Sequence, residues 1–345
     1  MKIRLQDIAD DLNLSKMTIS KVLRGQTDIS AETKARVLKR VQELNYRPNI
    51  SASSLRTGQT YTAGLVVRHL KDPHIADICR GLNKVFRAAS YALVISSADD
   101  DPEMEDREAE LHLSRQVDVL FLCSQDGSAD APEALRNSHV PVVYLGRKPA
   151  PLSASSVSLR EVEVGKSAAE HLFARSAHRI AYLRGPRTFG GDQRFSGYLE
   201  AHRDAGVTPR QEWIVEPRHA GSEYECAYSA VGAMLQARNA PDAVMAYTDA
   251  LAAGARDAAL ARGLRIPEDV QIIGCGNDAQ VCSIGLPISS IDLAGEEIGA
   301  RAARLALKAI ENGPEEKPRS VSVSPRIVTR ATTRQAPSVQ RERKR

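Results

Sequence analysis

Residues 5–60 read LQDIADDLNLSKMTISKVLRGQTDISAETKARVLKRVQELNYRPNISASSLRTGQT, and their spacing decides how the chain begins. Leu5, Ile8, Ala9 and Leu12 fall at i, i+3, i+4 and i+7, one face of a short helix, with Asp7, Asp10 and Asp11 on the other. Asn13 tolerates the left-handed conformation that ends a helix. Ser15 stands where an N-cap belongs. The next stretch, Lys16 to Arg24, turns Ile19, Val22 and Leu23 inward, and Gly25 closes it. Ser30 caps a third helix that carries Glu32 in its first turn and Ala35, Val37, Leu38, Val41 and Leu44 along one side. Two short helices about four residues apart, buttressed by a third, form the helix-turn-helix arrangement. On the second helix Lys16, Met17, Thr18, Ser20 and Lys21 point outward, a mixture of cations, hydroxyls and one flexible apolar side chain that suits base edges and phosphates in a major groove. A small three-helix bundle with a solvated polar face would share this pattern.

Charge is distributed accordingly. The whole chain of 345 residues carries 47 Lys+Arg against 43 Asp+Glu, a net of +4. Residues 1–60 hold 11 against 6, the tail from Ala336 holds 4 against 1, and the remainder holds 32 against 36. A basic head on a slightly acidic body is the asymmetry of a nucleic-acid-binding module joined to a neutral core.

After the third helix the sequence runs Asn45-Tyr46-Arg47-Pro48-Asn49, and then Ile50 to Gly58. With D-I-A at 7–9, L-S-K-M-T-I-S-K-V-L at 14–23, I-S-A-E-T at 29–33, and L-N-Y-R-P-N followed by A-x-x-L at 44–55, the head resembles that of the LacI/GalR family of bacterial transcription regulators. The resemblance implies a hinge helix at residues 48–56, ordered on operator DNA, with Leu55 wedged into the minor groove. It also implies DNA contacts from Lys16, Met17, Thr18, Ser20, Lys21, Ser30, Asn49, Ala52 and Leu55.

From Tyr61 onward short apolar runs alternate with helical patterns. Strands are expected at Ala63–Val67, Ala92–Ser96, Val119–Leu122 and Val140–Tyr144, and again at Ile180–Leu183, Ile214–Glu216, Ala243–Tyr247 and Gln271–Gly274. Helices are expected at Glu103–Gln116, Lys166–Arg175, Glu223–Gln236 and Leu251–Arg262. Alternation of this kind gives doubly wound parallel sheets, and two sets of strands give two lobes with a cleft between them. G-L-V-V-R at 64–68, P-V-V-Y-L-G-R at 141–147, R-F-S-G-Y at 194–198 and P-E-D-V-Q-I-I-G at 267–274 extend the resemblance through the body. It implies an α/β periplasmic-binding-protein-like fold and a homodimer. The expected division is a helix-turn-helix domain at 1–47, hinge and linker at 48–60, a two-lobed effector-binding and dimerisation domain at 61–335, and a basic, disordered tail at 336–345.

The resemblance places the family's pocket arginine at Arg194, and sets Asp249 near the pocket at the start of a helix, where a plain N-cap would also fit. Where the family has carboxylates, this chain has Gly146 beside Arg147, Leu159 beside Arg160, and Gly276 followed by Asn277 and Asp278. Arg218 falls where the family tends to place an aromatic ring. Arg68 ends the first body strand and so faces the cleft. If Arg68, Arg147, Arg160, Arg194 and Arg218 converge, the effector is a sugar acid, a sugar phosphate or another anion rather than a neutral sugar.

Other classes find no support. No apolar run approaches the ~18 residues of a membrane span, and the N-terminus is not a secretory signal. The five cysteines form no C-x-x-C pair and read as buried, inert thiols in a reducing compartment. No phosphate-binding glycine loop, zinc-protease motif or nucleophile elbow occurs. The acidic run Asp99–Glu103 reads as a loop capping a helix, and the tail lacks leucine heptads. The expectation is therefore a cytoplasmic bacterial regulator, acting on the nucleoid, that binds double-stranded operator DNA and a carbohydrate-type effector, with no cofactor, no metal and no enzymatic activity. The alternative is a sugar-binding protein or sugar-processing enzyme without specific DNA binding.

Overall fold

The computed structural model describes residues 3–23, 26, 28–46, 58–123, 135, 138–146, 154–216, 222–313 and 318–335. The chain forms two compact units, Met1–Thr60 and Tyr61–Arg345. Gly25, the hinge expected at 48–56 and the tail from 336 lie outside the described residues.

The first unit contains helices α1 (Leu5–Leu12), α2 (Lys16–Leu23) and α3 (Ala31–Glu43). Asn13 ends α1 in the left-handed conformation, at φ 51°. The Ser15 hydroxyl accepts the Thr18 N–H at 3.0 Å, and Ser30 caps α3 by accepting from Thr33 at 3.2 Å. Ile8, Ala9, Ile19, Val22 and Val37 form the buried core. Ala35 and Leu38, expected inside, are exposed. The inward side of α3 is instead Val37, Val41 and Leu44, a narrower stripe at i, i+4 and i+7. Arg40 ties α3 to α1 through Asp11, with its Nε 2.5 Å from the carboxylate.

The second unit holds two six-stranded sheets. In the first lobe lie β1 (Thr62–Val67), β2 (Ala92–Ser97), β3 (Val119–Cys123), β4 (Val142–Leu145), β5 (Ser155–Leu159) and, from far along the chain, β11 (Ser320–Val323). Their order is β11-β5-β4-β3-β1-β2, and all pairs are parallel. The second lobe holds β6 (Ile180–Leu183), β7 (Ile214–Val215), β8 (Ala243–Ala246), β9 (Gln271–Cys275), β10 (Ser289–Asp292) and β12 (Arg326–Val328), in the order β12-β10-β9-β8-β6-β7. Only the β10–β12 pair in this sheet is antiparallel. The chain thus passes between lobes three times: at Arg160, around Leu293, and just before Arg326.

Helices sandwich both sheets. α4 (Pro73–Ala88) and α5 (Pro102–Ser114) cover opposite faces of the first. α6 (Glu161–Phe173), α7 (Phe189–Asp204), α8 (Glu223–Met234), α9 (Asp249–Leu260) and the short α10 (Ala279–Cys282) belong to the second. α11 (Gly295–Asn312) returns to the first and packs along α4. Asp101 caps α5 by accepting from Glu103, so the acidic run at 99–103 is a helix start. Strand β4 begins at Val142, two residues later than the apolar run suggests.

Four strands escape the sequence pattern: β5, β10, β11 and β12. Three of them contain serines, which sequence rules assign to turns. Ser289 and Ser290 are nonetheless fully buried, because Thr332, Thr333, Asp249 and the Asn277 N–H satisfy them. The cysteines are not uniformly buried: Cys275 and Cys282 are, whereas Cys79, Cys123 and Cys226 are half-buried.

Three histidines are almost wholly enclosed. His112 bonds Ser96, His171 bonds Thr333, and His202 bonds the Tyr198 carbonyl. Burial holds all three below the ordinary histidine range, His171 down to about 4. Between the folded and unfolded values the unfolded chain binds more protons, so stability is complete above pH 6.5 and falls as pH drops towards 4. We expect the unfolding free energy from urea titrations to fall over that window by a few kcal/mol in total. His171→Asn should flatten the pH dependence there; an unchanged slope would contradict this account.

Candidate DNA-facing helix and interlobe cleft

On α2 the burial divides sharply. Ile19 is 0% and Val22 2% exposed, whereas Met17 is 68% exposed. Lys16 stands open at the N-terminus, in a first turn without an acidic residue. Thr18 shares a hydrogen bond with the capping Ser15 at 2.9 Å. Lys21 is paired with Asp28. A cation in place of a carboxylate leaves this helix terminus open to an anion. Ser30 is exposed and bonds Thr33. Asn49, Ala52 and Leu55 lie outside the described residues.

In the second unit two adjoining cavities, about 660 Å³ and 450 Å³, open between the lobes. They share Arg68, Asp72, His74, Thr188, Arg194 and Tyr247 as walls. Arg68 follows β1, Tyr247 follows β8 and Cys275 ends β9, so the cavities sit at the carboxyl ends of the strands, as open α/β sheets require.

Arg194 is 8% exposed and reaches this site from the first turns of α7. Its Nε donates to Glu161 at 2.6 Å, one Nη lies 3.4 Å from the Cys275 sulfur, and its guanidinium carbon stands 4.6 Å from the Tyr247 ring centre. Two glycines permit this. A Cβ on Gly165 would lie 1.8 Å from the Arg194 carbonyl, and one on Gly197 would lie 2.0 Å from that of Val162. Only bare backbone lets α6 and α7 come close enough for Arg194 to meet Glu161. Burial disfavours the Arg194 charge, but the Glu161 carboxylate outweighs it, and the guanidinium is held well above its usual range.

Asp249 also borders the cavity, yet both of its oxygens are engaged. Oδ1 accepts from Ser290 at 2.6 Å and Oδ2 from the Asp278 N–H at 2.7 Å. Thr248, not Asp249, caps α9. Burial raises the Asp249 pKa, and the bonds from Ser290 and Asp278 oppose that rise. Gly274 makes room, since a Cβ there would sit 2.2 Å from Oδ1. Asp278 lines the cavity and caps α10. Asn277 faces elsewhere: its amide donates to Asp292 and accepts from Arg330.

The arginines do not assemble as bare cations. Arg68 stands 3.5 Å from Asp100, and Arg194 is paired with Glu161. Arg160, expected in the cleft, is half-exposed and turned towards Glu163 at 2.8 Å, one helical turn along, where it borders neither cavity. Arg147 and Arg218 lie outside the described residues. Sequence reasoning also missed Asp72, His74, Glu161, Thr188 and Tyr247. Of these Asp72 and Thr188 had a local signal, as capping residues before Pro73 and at the start of α7. Burial pushes His74 below and Tyr247 above their ordinary values, and the Cys275 thiol up to about 12, so that sulfur is inert. No group of side chains able to hold a metal, and no helix long and apolar enough to cross a membrane, occurs among the described residues.

A helix-turn-helix head in the same chain as a two-lobed α/β body defines a regulator of transcription with a ligand-binding domain. The family model for bacterial regulatory proteins, lacI family, matches residues 4–49, and that for a periplasmic binding protein-like domain matches residues 169–333. The HTH-type transcriptional repressor PurR of Mannheimia succiniciproducens is 28% identical over 334 residues, covering 96% of this chain and 98% of that repressor. The transcriptional regulator CelR, solved with cellobiose, is 26% identical with a TM-score of 0.68, covering 96% of this chain and 99% of that one. The lac repressor dimer, solved on operator with the anti-inducer ONPF, shares the fold at 22% identity and a TM-score of 0.79, with 96% and 99% covered. The chain belongs to the LacI family, and it is a transcriptional regulator with a ligand-binding domain, not an enzyme.

Removing one member of a buried ion pair strands the other. Glu161→Gln should therefore lower the unfolding free energy by on the order of 3 kcal/mol. Glu161→Leu combined with Arg194→Met should recover most of that loss in chemical denaturation. A double variant as unstable as the single one would show that the pair contributes net stability.

Proposed function

We propose that the protein binds a pseudo-palindromic operator as a homodimer and carries a small carbohydrate-type effector between its lobes. The observation that carries the effector reading is the Arg194–Glu161 pair on the cavity wall, a buried donor fork beside a fixed acceptor. Neighbouring hydroxyls of a sugar need donors and acceptors side by side. The wall adds Asp72, Asp100 and Glu223 to Arg68 and Lys71, so both signs of charge are present. That balance suits a hydroxyl-rich ligand. Arg68, more loosely held by Asp100, is the group that would receive the carboxylate of a sugar acid. A dense phosphate fits this lining less well. The cellobiose complex of the similar regulator CelR supports the same chemical class.

In the first unit, α2 supplies the contacts to base edges and phosphates through Lys16, Met17, Thr18, Ser20 and Lys21, with Ser30 at the start of α3. Asn49, Ala52 and Leu55 supply the hinge contacts. Such a protein works where the chromosome is, in the bacterial cytoplasm. Effector and operator then change each other's affinity by the same factor, and repression relieved by effector is the expected sense.

The homodimer reading draws on an apolar surface of the second lobe. Tyr224 and Tyr228 stack at 6.3 Å on α8, Tyr224 donates to Asp257 of α9 at 2.9 Å, and Arg256 holds the Ile284 carbonyl. Tyr224, Tyr228, Leu260 and Ile284 are 39%, 39%, 46% and 68% exposed, and large apolar surfaces of this kind mark interfaces.

Gel-shift selection from random duplexes should recover one pseudo-palindrome; no preference over random DNA would remove the operator reading. Calorimetry with neutral sugars, gluconate-type and uronate-type acids and sugar phosphates should find a sugar or a sugar acid. Tight binding of a neutral hexose with none for any acid would remove the acid variant. Tyr228→Asp and Ile284→Asp should sediment as monomers and lose operator affinity.

A further inference from the structure

We infer that Met17 reads the C5-methyl group of a thymine in each operator half-site and is the specificity-determining side chain of α2. This rests on the operator-binding reading above and names the feature of the base pair that the helix takes.

An exposed methionine is by itself unremarkable, since single apolar side chains are common on protein surfaces. Its place gives it meaning. Met17 lies one helical turn before Ser20 and Lys21, on the side of α2 opposite the buried Ile19 and Val22. It is 68% exposed. Two of the polar side chains around it already have partners: Thr18 bonds Ser15, and Lys21 is drawn towards Asp28 in the turn before α3. The thioether is thus the one apolar group on this outward stripe.

Chemistry then narrows what it can meet. A thioether has no hydrogen-bond donor and only a weak acceptor. Each polar atom displayed in the major groove, such as guanine N7 and O6, adenine N6, cytosine N4 or thymine O4, would lose water against it without a replacement bond. The thymine methyl is the single apolar substituent there. Met17 is long and unbranched, so it can reach that methyl from more than one approach.

The test uses the full chain and the duplex selected above. Each thymine is replaced in turn by deoxyuridine, which removes the methyl and keeps the pairing. One position in each half-site should lose about fourfold in affinity, the worth of one buried methyl. In Met17→Ala the same replacement should cost nothing, and 5-methylcytosine placed at that position should be favoured over cytosine by the native protein alone. Met17→Gln, which keeps the length and restores hydrogen bonding, should lose the uracil penalty as well and select a different base there. If every thymine tolerates loss of its methyl, or if Met17→Ala keeps the same uracil penalty, the inference is overturned while operator binding stands. A chain that selects no duplex overturns both.

Discussion

A guanidinium buried between two packed helices needs its counter-charge within hydrogen-bond reach, and that need shapes the ligand-binding lobe around Arg194. The 2.6 Å bond to Glu161 joins α7 to the first residue of α6, which is also where the chain first enters the second lobe. Isolated burial of such a charge would cost several kcal/mol. Paired burial is tolerated, but only if the two helix backbones approach closely enough to hold the pair. Gly165 and Gly197 meet that condition, each with a carbonyl of the opposite helix where a Cβ would stand. The cavity wall is thus a consequence of helix packing, and its chemistry is fixed before any ligand arrives.

The arginines of the cleft make sense in that light. An arginine in the sequence looks like a free cation, and several near the expected pocket suggest an anion. In the fold, each described one has drawn a carboxylate to itself: Arg68 faces Asp100, Arg160 faces Glu163, Arg194 faces Glu161. Glu161 and Asp100 are remote from Arg194 and Arg68 along the chain, so no spacing rule pairs them. A ligand entering here exchanges partners with existing ion pairs rather than neutralising bare charge. That exchange favours groups which both donate and accept, as hydroxyls do.

What was legible in the sequence follows the same divide between local and non-local causes. The three helices of the head are fixed by apolar spacing and by the caps Asn13, Ser15 and Ser30, all of which act within a few residues. The apolar strands β1, β3, β8 and β9 are read directly from their runs. β5, β10 and β11 are not, because their serines become acceptable inside a sheet only through partners elsewhere, such as Thr332 and Thr333 for Ser289. Asp249 shows the same limit. Its position at the start of α9 was readable, whereas its engagement by Ser290 and the Asp278 backbone depends on β10 and on the turn after β9.

That turn also bears on how the lobes can move. Three strands of chain cross between them, and closure has to be absorbed there. Ala294 at the second crossing and Asn277 in the turn after β9 both adopt left-handed backbone, at φ 53° and 55°. For alanine that conformation costs about 1–2 kcal/mol, and it persists only where its surroundings hold it. The surroundings are visible: Asp292 accepts the Ala294 N–H at 2.7 Å and the Asn277 amide at 3.2 Å, and Arg330 donates to Asn277 at 2.6 Å. Arg326 ties the third crossing to Glu297 of α11 at 2.8 Å. The first crossing is held as well: the Arg160 N–H donates to the Val323 carbonyl at 2.9 Å, the Arg160 side chain pairs with Glu163 at 2.8 Å, and the segment leads straight into Glu161. The first crossing is thus bonded to the chain that leads into the third, and it carries the acceptor of the buried pair. A ligand that engages Glu161 therefore acts on the segment by which the chain first passes from one lobe to the other, and through its bond to Val323 on the approach to the third crossing.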